Sequence, residues 1–122
     1  MKTLIIILLA FHSITLLACE NDEIHIDQLI SKGLILKGPL EINSIERESL
    51  IEIKKTNKNE TLPFGRIHTE WLKLKSSVEK GGQLYFISSP KELWEKPLSG
   101  AYEGYIVIKR KCAIEFLRTT VS

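Results

Sequence analysis

The chain begins with an apolar block and then breaks into short alternating and helical patterns. Residues 3–17 carry no charged side chain, are dominated by Ile and Leu, and give way to Glu20-Asn21-Asp22-Glu23. Past that boundary the periodicities are those of a small mixed domain. Ile67, Trp71, Leu74 and Val78 lie on one helical face, with Gly81-Gly82 as the stop. Ile26, Leu29 and Ile30 have the spacing of a shorter helix ended by Gly33. Residues 34–36 read as a brief strand closed by Gly38-Pro39, and residues 84–87 as a second strand. Residues 102–108 and 112–121 flank Lys109-Arg110-Lys111 and predict a terminal hairpin joined to the 84–87 strand.

Two segments are less one-sided. Residues 45–55 follow Ser44 and place acids early and lysines late, which suits a helix dipole, yet the Ile51/Ile53 alternation fits a strand equally well. Ser89-Pro90 reads as the start of a short helical turn, Ser as cap and Pro at the first position, with Leu93 and Trp94 facing inward. Residues 56–65 are polar and predict an exposed loop. Together these elements predict an α+β domain: an antiparallel sheet of about three to four strands with two to three short helices on one face.

The 122 residues divide into an expected signal peptide at 1–18, a short acidic tether at 19–23 and one domain at 24–122. Removing the leader takes away Lys2, so the 17 basic residues fall to 16 against 15 acids. Nucleic-acid binding needs clustered positive charge, and this balance does not favour it. The apolar stretch is shorter than the roughly 20 residues that span a bilayer, which favours a leader over a permanent helix.

The end of the leader carries a specific pattern. Leu16 is too large for the third position before an ordinary signal-peptidase cut, and Ala18 is followed directly by Cys19. The run Leu16-Leu17-Ala18-Cys19 resembles the lipobox of bacterial lipoproteins. That resemblance implies diacylglyceryl transfer to the Cys19 thiol, cleavage after Ala18 and acylation of the new amino terminus, palmitate being a typical class of chain. Such multiple acylation anchors a protein durably to a membrane. Glu20 stands where the family's inner-membrane retention signal usually has Asp, so the outer membrane is the favoured destination. With Cys19 a thioether, Cys112 has no partner within the chain; it is expected to be a buried small hydrophobe and no internal disulfide is expected. If lipidation fails, a Cys19–Cys112 bridge becomes possible.

Residues 82–107, with Gly82, Tyr85, Ser89-Pro90, Trp94, Gly100 and Gly104-Tyr105, resemble a C-terminal block of small uncharacterised bacterial envelope proteins, a likeness that carries no activity. The search for chemistry is correspondingly spare. His25 and His68 are the histidines outside the leader, and no metal site or cofactor is expected from them. Ser88-Ser89-Pro90 lacks a nucleophile elbow and Gly81-Gly82 lacks a phosphate-loop Lys. Glu79, Glu92, Glu95 and Glu103 single out no catalytic pair. Trp94, Tyr102 and Tyr105 form a candidate recognition rim, since Trp and Tyr dominate binding hot spots.

The expectation is therefore a non-enzymatic envelope lipoprotein on the periplasmic side of a membrane, a protein-binding or structural module whose partners are the membrane and another envelope protein. Two alternatives stand beside it: an immunity or inhibitor lipoprotein directed at a toxin or lytic enzyme, and a small envelope hydrolase using a Glu or His68.

Overall fold

The computed structural model describes residues 19–122. The expected leader, with Leu16, Leu17 and Ala18 of the lipobox-like run, lies outside the described residues. One antiparallel sheet contains β1 (Ile24–His25), β2 (Ile35–Leu40), β3 (Gln83–Ser88), β4 (Tyr102–Lys109) and β5 (Cys112–Val121), in the spatial order β1-β5-β4-β3-β2. Among the described residues four helices accompany it: α1 (Ile26–Ser31), α2 (Ile42–Lys54), α3 (His68–Glu79) and α4 (Lys91–Trp94), with a 3-10 turn at Gly65–Ile67 before α3. The fold is α+β.

The sheet has five strands, not three to four. The addition is β1, two residues long, which pairs Ile24 with Ala113 and His25 with Cys112. A two-residue strand leaves no alternation to read. β2 also extends beyond residues 34–36, running through Gly38-Pro39 with its register against β3 shifting between Lys37 and Leu40. The terminal hairpin forms where the pattern placed it. Its turn residues Arg110 and Lys111 both hold positive φ, 54° and 67°, the left-handed geometry that matches the twist of a tight hairpin.

Residues 45–55 belong to a helix. α2 starts at Ile42, earlier than a Ser44 cap allows, and Glu41 occupies the N-cap with no side-chain cap bond. Burial decides the matter: Ile42 and Ile45 pack together into the core, whereas Ile51 stays exposed, a helical division of apolar residues. α3 follows its sequence pattern, with Trp71 and Leu74 fully buried. Gly82 then lets the end of α3 approach the sheet, because a Cβ there would collide with the Val107 side chain and lie 3.0 Å from the Ser77 carbonyl oxygen. At Ser89-Pro90 the roles differ from expectation. Pro90 is the N-cap of α4, and the buried Ser89 Oγ instead accepts from the Tyr102 N–H at 2.9 Å.

Alternation along β3 and β4 splits the core in two. On the first face Ile45, Trp71, Leu74, Leu84, Val107 and Leu117 form one cluster beneath α2 and α3. On the second face Leu29 joins Ile87, Ile106 and Ile108, supported by Ile26, Leu34 and Leu36. The helices are thus not confined to one face, since α1 packs on the side opposite α2 and α3. The cause is local: β1 passes straight into α1 at His25, whose Nδ1 accepts from the Asp27 N–H at 3.1 Å and caps the helix.

Candidate functional site

On the first face the aromatic residues are consumed by packing. Phe64 stacks on Trp71 with ring centroids 4.6 Å apart, and Tyr105 meets Phe64, Trp71 and Phe86 edge-on at 5.7, 6.1 and 5.7 Å. The Trp71 Nε1–H donates to Glu46 Oε2 at 2.9 Å, and the Lys75 ammonium sits 3.4 Å from the same carboxylate. Burial, aided by the nearby carboxylates of Glu48 and then Glu103, raises the Tyr105 hydroxyl above its ordinary value.

The second face is covered differently. α1 is six residues long and reaches only part of the sheet. Beside it lies an open groove of about 370 Å³, lined by the apolar Leu29, Ile87 and Ile106 and by Tyr102, Phe116 and Arg118, with the carboxylates of Asp22 and Glu115 also at its edge. Tyr102 and Phe116 meet edge to face at 5.7 Å, and the Arg118 guanidinium lies over the Tyr102 ring at 4.6 Å from its centroid. Arg118 pairs in register with Gly104, which offers no side chain to fill the space. Gly104 is itself required there, because a Cβ would strike the Leu117 carbonyl oxygen. Among the described residues no carboxylate forms an ion pair with Arg118. Its positive charge lies over the Tyr102 ring and faces solvent.

The expected rim does not assemble. Tyr102 belongs to the second-face groove, Tyr105 to the packed aromatic cluster of the first face, and Trp94 sits on α4 with Nε1 3.4 Å from Ser88 Oγ. The alternation of β4 puts Tyr102 and Tyr105 on opposite sides of the sheet. Phe116 and Arg118, which the sequence did not single out, stand beside Tyr102 instead. Their signal was the β5 pattern itself, in which positions 116 and 118 flank the buried Leu117.

The cysteines correct a second expectation. Cys19 and Cys112 form a disulfide across a separation of 93 residues, with Cα atoms 5.7 Å apart. The tether between leader and domain is a turn, not an extended spacer: Glu23 N–H donates to the Glu20 carbonyl at 2.9 Å and Glu20 N–H to Glu23 Oε1 at 3.1 Å. That turn returns the chain to the sheet and delivers the Cys19 sulfur to the first residue of β5. Cys112 is buried, as expected of a small hydrophobe, but it is bonded. The Glu23 carboxylate lies within 4.8 Å of both sulfurs; sulfurs joined to each other are not thiolate ligands, so the trio is a metal donor set only on reduction.

The remaining chemical candidates are dispersed. His68 Nδ1 lies 2.8 Å from the Pro63 carbonyl at the start of α3. Glu79 ends α3, Glu92 lies on α4 and Glu95 at its C-cap, 3.9 Å from Lys91, and Glu103 lies near the start of β4. No helix among the described residues is long and apolar enough to cross a membrane. No family model matches the chain, and neither a curated protein nor a solved structure matches it.

Proposed function

We propose that the chain is an exported protein of the cell envelope that works by binding another protein, without catalysis. The Cys19–Cys112 bridge carries the placement: a disulfide joining the residue just after the leader to the last strand is a bond that oxidising compartments sustain. The groove of Tyr102, Phe116 and Arg118 supports binding, its occupant being a segment of an envelope protein that offers an apolar side chain to the groove and a carboxylate to Arg118. A photo-crosslinking residue at Phe116 in living cells tests this reading. Capture of one defined protein at that position, lost in Arg118→Glu and absent from the same probe at exposed Leu72, is the expected result. No adduct, or equal adducts at both positions, would refute it.

A second reading rests on Leu16-Leu17-Ala18-Cys19: the exported domain is a lipoprotein, acylated at Cys19 and held on the periplasmic side, by preference at an outer membrane. The intact mass of the native amino-terminal peptide tests it, since a diacylglyceryl thioether at Cys19 adds a mass that a disulfide does not.

A further inference from the structure

The two fates read for Cys19 require the same atom. The sulfur that the leader pattern offers to a lipid is bonded, in the folded domain, to Cys112. We propose that Cys112 competes with the lipid for the Cys19 sulfur and so governs how much of the protein is acylated and processed. This rests on the lipoprotein reading of the leader.

The geometry makes the competition direct. Residues 20–23 fold as a turn closed by the Glu23 to Glu20 bonds, so the domain itself presents Cys19 to β5. His25 pairs with Cys112 and Ile24 with Ala113, which fixes the receiving end of that turn. Once these pairs form, the thiols stand where a bridge closes without rearrangement of the sheet. Closing it removes two protons and two electrons, taken up by a thiol–disulfide oxidant, and leaves no nucleophile on Cys19. Acylation instead forms a sulfur–carbon bond to the glyceryl carbon of a phospholipid. The carbon–oxygen bond to the headgroup phosphate breaks, and the thiol proton leaves with that phosphate. Cys112 then remains a thiol in the interior. Each product excludes the other, so the ratio of bridged to acylated protein reports which reaction reaches the sulfur first.

The test uses the full chain with its leader, expressed in a bacterium that processes lipoproteins. Intact mass distinguishes the full-length from the processed chain. Wild type yields an unacylated form that keeps its leader and is lighter by two hydrogen atoms than the dithiol chain. Cys112→Ser abolishes that form and leaves processed chain acylated at Cys19. A host lacking its periplasmic thiol oxidant produces the same change with the wild-type sequence, which removes any concern that the substitution impairs folding. If wild type is fully acylated with a free Cys112, and Cys112→Ser matches it, the competition is refuted while the lipoprotein reading stands. If Cys112→Ser keeps its leader with an unmodified Cys19, the lipoprotein reading falls and the competition with it.

Discussion

The two faces of the sheet spend similar residues on different ends. On the first, α2 and α3 together supply 25 helical residues, Trp71 and Leu74 are fully buried, and every nearby ring is locked against another. On the second, six residues of α1 close over Ile87 and Ile106 but leave Phe116 and Tyr102 at the surface, 39 % of Phe116 remaining accessible. An aromatic side chain thus says little until its face is known. Tyr102 and Tyr105 are three positions apart on one strand and both half-buried, yet one lies under the Arg118 guanidinium on the second face and the other packs against Phe64, Trp71 and Phe86 on the first.

That contrast can be broken by substitution. Trp71→Ala, which empties the centre of the first face and strips Glu46 of its indole partner, is expected to cost about 3–5 kcal/mol of stability, measured by urea unfolding. A cost below about 1 kcal/mol would mean the first face is not the structural one. Next comes the bridge. In the disulfide form, Cys112→Ser or reduction is expected to cost about 2–4 kcal/mol, because the cross-link closes most of the chain. The loss should concentrate on the second face, read as faster amide exchange across Ile24 to Ser31, with α3 unchanged at equal distance from global unfolding. Uniform acceleration would remove the distinction between the faces.

Smaller effects sharpen it. Phe116→Ala and Arg118→Ala, on the exposed groove wall, are each expected to stay within about 1 kcal/mol of wild type, and Arg118→Ala to abolish the crosslink from position 116 to a partner. A large loss of stability in either variant would reassign the groove to the core. The smallest effect is alkaline. Because burial raises the Tyr105 hydroxyl, its folded state holds the proton longer than the unfolded chain does. Its contribution is complete below the ordinary value of 10.0 and is lost as pH rises through the higher folded value. Tyr105→Phe should therefore flatten the fall in stability above that pH, and an unchanged slope would place the titration elsewhere.

Long, periodic elements were legible in the sequence. The α3 stripe through Trp71 and Leu74, the stop at Gly81-Gly82 and the hairpin around Arg110-Lys111 all follow from patterns that local rules capture. What escaped them was relational. β1 is too short to leave a pattern, and its pairing with Cys112 depends on the whole sheet being assembled. The side of the sheet that α1 covers follows from the strand running directly into it, not from the spacing of Ile26 and Leu29. The groove needed the β4–β5 register, which sets Arg118 opposite a glycine and so over Tyr102. The bridge was discounted because the leader pattern had already assigned Cys19 to lipid; sequence order hid the fact that residues 93 positions apart end up 5.7 Å apart.

The bridge also makes a near-loop of the polypeptide. The polar segment at residues 56–65, which sits between α2 and α3, falls inside the span that it encloses. A protease that nicks this segment yields two fragments still joined through sulfur, so a cut molecule should migrate as a whole one until a reductant is added. Clipping there is thus invisible in a non-reducing gel.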